Sequence, residues 1–197
     1  MKQDPAHRIF VAAEVTDAVR SACASLRERF ERSIKGARWA RPESVHLTLK
    51  FLGSVPEDRI GQIAEILRNC AATSPRFTVT TGVPGVFGSA GRPRVLWVSV
   101  EGETSLAGTL AAHLEDAFAQ IGFERESRPF RLHLTLARFD PRARTRLPED
   151  LFAAVSEEMA GLRIPVEAIV LFLSRPTPGA SSYTPLQRFA LLGASPA

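Results

Sequence analysis

The sequence predicts an α+β protein built as two similar lobes that face each other. Strand-like and helix-like segments alternate along its 197 residues, and their order nearly repeats. Each half also carries one copy of the same tetrapeptide, His46-Leu47-Thr48-Leu49 and His133-Leu134-Thr135-Leu136. The length suits a single domain over residues 1–197, with the two lobes inside it.

Residues 8–15 read as a strand rich in β-branched and apolar side chains. Thr16 or Asp17 is placed to cap a helix with Val19, Ala22, Cys23, Leu26 and Phe30 along one face. A short strand at 38–40 stops before Pro42, and a longer one at 45–52 ends at Gly53. From Pro56 a second helix sets Ile60, Ile63, Ala64, Leu67 and Cys70 on one side. Residues 77–83 and 95–100 read as strands, separated by a Gly- and Pro-rich loop at 84–93. A helix at 104–121, a strand at 131–137 and a helix at 149–159 follow. Strands at 166–173 and 183–192 close the chain, joined by a turn-rich link at 176–182.

Composition narrows the class. Apolar residues make up 45%, as in a soluble protein, and no run is long enough to span a bilayer. The opening Met1 to Pro5 is polar, and the apolar run from Ile9 halts at Glu14, too short for a secretion signal. The expected location is the cytoplasm. Cys23 and Cys70 fall in helices without CxxC spacing and read as reduced structural thiols. The net charge is +4, and all but three of the basic residues are arginine. That excess reflects either base composition or a polyanionic substrate, since a guanidinium fork suits phosphate.

The repeated tetrapeptide carries the chemistry. A strand alternates its faces, so His46, Thr48 and Lys50 share a front while Leu47, Leu49 and Phe51 lie behind in the core. By the same parity Arg131, His133, Thr135 and Ala137 share a front, backed by Leu132, Leu134 and Leu136. One such histidine alone is ordinarily a surface or a satisfied core residue. Two of only four, in identical tetrapeptides, point to a site. Imidazoles titrate near neutrality, so two across a cleft can hold one proton between them, one serving as base and the other as acid. Two threonine hydroxyls can donate to phosphoryl oxygens, with arginine or lysine offsetting charge. Metal ligation fits poorly, because there is no HExxH, no HxH and no carboxylate at ligand spacing. No cofactor is expected.

Lys50 either reaches a phosphate or is a solvated lysine at the cleft edge. Arg131 is the better phosphate ligand of the two. Arg128 either touches substrate or forms a surface ion pair. The part played by Arg138, on the opposite parity at a strand end, depends on local twist. Tyr183 and Trp39 each either stack on a base or pack. His7 and His113 read as ordinary surface or helix residues.

The two H-x-T-x motifs resemble those of the two-histidine (2H) phosphoesterases. Arg8-Ile-Phe-Val-Ala12, Trp39-Ala-Arg-Pro-Glu43, His46-Leu-Thr-Leu-Lys-Phe-Leu-Gly53 and Arg128-Pro-Phe-Arg-Leu-His-Leu-Thr-Leu-Ala-Arg138 are similar to the bacterial RNA 2',3'-cyclic phosphodiesterases, also called 2'-5' RNA ligases. So is the tail, with Leu171-Phe-Leu-Ser174, Tyr183-Thr184 and Phe189-Ala-Leu191. The chain departs from that pattern at Leu132 and across Gly179 to Tyr183, where the family often has proline and Gly-Pro. The resemblance implies a bilobal 2H phosphoesterase fold, each lobe an antiparallel sheet with flanking helices around a central cleft. It implies hydrolysis of RNA or nucleotide 2',3'-cyclic phosphates to 2'-phosphomonoesters, without metal and by a monomer. His46 would be the acid and His133 the base, although the two motifs read identically and do not themselves assign those roles.

Overall fold

The structure, a computed structural model, describes residues 7–89, 91–140, 142–177 and 180–192. The polar start Met1 to Pro5 and Gly179 lie outside them. Nine strands and four helices follow in the order β1 (His7–Glu14), α1 (Asp17–Phe30), β2 (Ala37–Trp39), β3 (His46–Val55), α2 (Ile60–Thr73), β4 (Phe77–Ser89), β5 (Arg92–Gly102), α3 (Thr104–Gln120), β6 (His133–Phe139), α4 (Leu151–Met159), β7 (Arg163–Val166), β8 (Ala168–Thr177) and β9 (Ala180–Ala190). Thr16 stands at the start of α1 as expected, but its hydroxyl donates to the Arg163 carbonyl instead of capping the helix.

The strands form one antiparallel sheet, ordered β7-β4-β5-β6-β3-β1-β8-β9, with β2 beside β6. The order is symmetric about its centre, where the two motif strands meet. They pair through a single residue pair, Leu47 with Leu134. Continuing that register by one residue sets His46 across from Thr135 and Thr48 across from His133. Beyond it the ladder stops.

The helices cross this centre. α1 links β1 to β2 yet packs on α4, which lies on β4 of the other half. α3 links β5 to β6 yet packs on β3. One apolar core therefore includes Leu26, Leu47, Phe118 and Leu134, from both halves of the chain. The apolar face read for α1 is buried as expected, and so is that of α2 from Ile63 onward, while Ile60 is half-buried.

Two expected loops are hairpins. β4 and β5 stay paired from Pro84–Val98 out to Ser89–Arg92, and β8 and β9 from Ala168–Ala190 out to Thr177–Ala180. Pro84 is tolerated because β7 pairs only with residues 77–80, leaving the outer half of β4 on a sheet edge. Gly85 is there for contact: a Cβ on it would stand 2.3 Å from the Trp97 ring.

Candidate active site

Both motif strands carry a β-bulge at the same place. Ala12 pairs with Thr48 and Val11 with Lys50, so Leu49 is the extra residue in β3. Trp97 pairs with Thr135 and Leu96 with Ala137, so Leu136 is the extra residue in β6. The bulge reverses the parity that follows. Lys50 and Ala137 turn to the back and are buried, while Phe51 and Arg138 come forward and are exposed.

This corrects four sequence expectations. Lys50 is only 5% exposed, and its ammonium donates to Glu115 Oε2 at 2.6 Å and to the Glu124 carbonyl at 2.9 Å. It is a buried tie between β3, α3 and the segment leading to His133. Ala137 is a core residue. Phe51 is 60% exposed and stands 6.0 Å from Phe10. Arg138 carries its charge close enough to both imidazoles to disfavour their protonation.

Other residues also find their places. Arg131 precedes β6 instead of belonging to it, so strand parity does not place its exposed side chain on the His133 face. Its carbonyl is the part that meets His133. Arg128 is exposed and paired with Glu126 at 3.1 Å, the surface alternative. Trp39 is buried and stacks on Phe30. Tyr183 lies edge-on to His46 at 5.1 Å. Thr48 and Thr135 are half-buried, and among the described residues neither hydroxyl has a protein partner.

The two histidines are held alike. His46 Nδ1–H donates to the Ser44 carbonyl and His133 Nδ1–H to the Arg131 carbonyl, each at 2.7 Å. A carbonyl only accepts, so each bond fixes the proton on Nδ1 and leaves Nε2 as the reactive nitrogen. Around His46 stand Phe10 at 4.8 Å, Phe172 at 6.2 Å and Tyr183. Phe87 lies edge-on to His133 at 5.4 Å, with Trp97 at 6.3 Å. Sequence reasoning missed Arg138 as a front-face residue and missed Phe87, which the assumed loop concealed.

Burial pushes the His46 pKa down to about 4; the Ser44 bond opposes this, and Arg138 and His133 add to it. Burial lowers His133 as well, again with Arg138 adding and the Arg131 bond opposing. Both rings are therefore neutral at pH 7 in the free protein. Between the ordinary histidine value near 6.5 and about 4, the unfolded chain binds more protons at His46 than the folded one, and the lowered His133 adds in the same direction. Stability from this source is full above pH 6.5 and falls as pH drops toward 4. Urea midpoints measured across that range should decline, and inorganic phosphate, by favouring the protonated rings, should flatten the decline. A decline of equal slope in His46→Asn would remove His46 as its cause.

Among the described residues, no three His, Cys, Asp or Glu side chains come together as a metal-binding group. Cys23 and Cys70 are buried and unbridged, and burial pushes Cys23 up to about 12. No described helix is long and apolar enough to cross a membrane.

Comparison with known proteins decides the family. The sequence pattern described as "LigT like Phosphoesterase" matches residues 13–97 and 99–181, one segment around each histidine. The chain belongs to the LigT-like phosphoesterase family. A Thermus thermophilus member, named RNA 2',3'-cyclic phosphodiesterase, is 31% identical over 94% of this chain and 91% of its own. The match to a Geobacillus stearothermophilus protein of the same name spans 46% of that relative. A T. thermophilus crystal structure superposes with a TM-score of 0.75 at 27% identity, covering 93% of this phosphoesterase and 97% of that chain. E. coli LigT complexed with 3'-AMP superposes with a TM-score of 0.74 at 25% identity, covering 95% and 99%. The family read from the two motifs is the one these comparisons give, as is the bilobal α+β fold.

Proposed function

We propose that this phosphoesterase opens RNA 2',3'-cyclic phosphates to 2'-phosphomonoesters. Water attacks phosphorus and gives a proton to His133 Nε2. The bond from phosphorus to the 3' oxygen breaks, and that oxygen takes a proton from His46 Nε2. Thr48 and Thr135 donate to the non-bridging oxygens, and Arg138 offsets their charge. His46 is neutral in the free protein, so the substrate's anionic phosphate must raise its pKa and bring in the proton the acid needs. The same steps run with a 5'-hydroxyl as nucleophile would give a 2'-5' linkage.

The observation that carries this reading is the matched locking of two histidines, tautomer and all, on adjacent strands with two unengaged threonines. The names of the relatives support the substrate. The intact set of four side chains argues against a module that grips RNA ends without cleaving them. The proposed setting is a cytoplasmic monomer, in keeping with two unbridged cysteines.

A panel of RNAs and nucleotides ending in 2',3'-cyclic phosphate, incubated in excess EDTA, tests it. The expected product is the 2'-phosphate, at an unchanged rate with chelator. A 3'-phosphate product or loss of turnover in EDTA would refute the scheme. Binding without turnover of any member would favour the non-cleaving module.

A further inference from the structure

Two like charges stand side by side on the face that carries the histidines. Arg38 pairs in register with Arg138 across β2 and β6. The next pair in that ladder, Trp39 with Ala137, is buried, so alternation brings both arginines to the opposite, front face. Both are exposed, and among the described residues neither has an ion-pair or hydrogen-bond partner. Like charges directly opposite each other destabilise a sheet. Trp39, buried and stacked on Phe30, anchors β2 all the same, so the fold holds this repulsive pair in place. An anion lying against the guanidiniums would offset the repulsion.

The place of Arg38 says which anion. β2 and β3 take the same edge of β6 in turn: Trp39 pairs with Ala137, the Ala40 amide donates to the Leu136 carbonyl at 2.8 Å, and Leu47 pairs with Leu134. Arg38 therefore stands beyond His46 on one edge of β6, just as Arg138 stands beyond Thr135 on β6 itself. Thr135 and Arg138 are three residues apart, at most roughly 10 Å along an extended strand, and the bulge at Leu136 shortens that span. In the proposed reaction His46 protonates the 3' oxygen. The ribose continues from C3' through C4' and C5' to the 5' oxygen, so the group on that oxygen lies on the His46 side, where Arg38 stands. The other end of the face, past Thr48, is apolar, with Phe51 beside Phe10.

We propose that Arg38 is a specificity-determining residue that binds the phosphate on the 5' side of the terminal nucleotide. This rests on the RNA-end reading of the cleft. The cyclic phosphate lies at the histidines, the threonines and Arg138. The next phosphate, across one ribose, lies against Arg38, whose planar fork donates to two of its oxygens. The phosphoesterase thereby prefers strand ends and 5'-phosphorylated nucleotides to nucleoside 2',3'-cyclic phosphates that lack a 5'-phosphate.

Two measurements test this. The first is kcat/KM on a nucleoside 2',3'-cyclic phosphate and on the same compound with a 5'-phosphate, for the natural protein, Arg38→Gln and Arg38→Lys. The 5'-phosphate should raise kcat/KM at least about tenfold in the natural protein, as one charge-assisted contact does. That ratio should fall to near one in Arg38→Gln and lie between the two in Arg38→Lys. A dinucleotide with a cyclic end should behave like the 5'-phosphorylated compound. Its methylphosphonate analogue, whose linkage is uncharged, should behave like the compound without a 5'-phosphate. The second measurement is calorimetric binding of the nucleoside 2',5'-bisphosphate and the 2'-phosphate, which needs no turnover. The second phosphate should tighten binding about tenfold in the natural protein and hardly at all in Arg38→Gln. The urea midpoint of Arg38→Gln should not fall, because the change removes a like-charge neighbour; a fall would make Arg38 a support of β2 and overturn its reading as an uncompensated charge. Equal binding ratios in the two proteins, or equal losses of kcat/KM on both substrates, would overturn the assignment. If the natural protein opens none of these cyclic phosphates, the cleft reading fails instead, and the binding ratios still decide the role of Arg38.

Discussion

Replacing either His46 or His133 with alanine should cut kcat by roughly 10³-fold or more on a cyclic-phosphate RNA, with the fold intact. One positioned proton transfer contributes on the order of 10²–10⁴-fold. Here the two transfers act on one phosphorus, so losing either ring also strands its partner in the wrong protonation state. The fold should survive because, among the described residues, each ring hydrogen-bonds only a neighbouring carbonyl and neither ring belongs to the main core. A diester whose leaving group needs no proton, such as a p-nitrophenyl ester, separates the two roles. His46→Ala should recover much of its loss on that ester and His133→Ala should not. Recovery in the opposite variant would exchange the acid and base assignments. Full activity in either variant on the RNA substrate would end the two-histidine scheme.

The site's identity was legible in the sequence because it is written locally: two H-L-T-L runs, each with leucines behind and polar groups in front. The strands, the helices and the face of α1 that packs inward followed from the same short-range periodicity. What escaped was set by partners distant in the chain. The bulges at Leu49 and Leu136 exist only in relation to β1 and β5, so strict alternation put Lys50 and Ala137 on the wrong face and hid Arg138. The Gly- and Pro-rich segment at 84–93 looked like a loop because its residues are poor strand formers. As an edge strand it needs neither the proline's missing N–H nor a side chain at Gly85, where the Trp97 ring lies. The crossing of α1 and α3 over the centre of the sheet has no local sign at all.

Lys50 yields the other large effect, and on a different quantity. The residue is 5% exposed, and its ammonium joins three parts of the chain: β3, Glu115 on α3, and the Glu124 carbonyl at the head of the stretch that ends at His133. Glu115 Oε2 also accepts the Glu126 amide at 3.2 Å. Lys50→Met would leave the Glu124 carbonyl without this donor and the Glu115 carboxylate without its cation, with the Glu126 amide still bound to it. Breaking a buried pair from one side costs about 3–5 kcal/mol, and the partial exposure of Glu115 places this case toward the lower end. Replacing both partners with apolar residues of similar size, Lys50→Met with Glu115→Leu, should restore much of the stability. It should not restore kcat fully, because the segment carrying the Arg131 carbonyl, and with it the orientation of His133, would still lack its tie. Urea unfolding of the two single variants and the double variant gives the coupling energy, and kcat on the same proteins gives the functional share. A destabilisation below about 1 kcal/mol, well short of the range for a broken buried pair, with a raised KM, would return Lys50 to the front of the strand as a phosphate ligand.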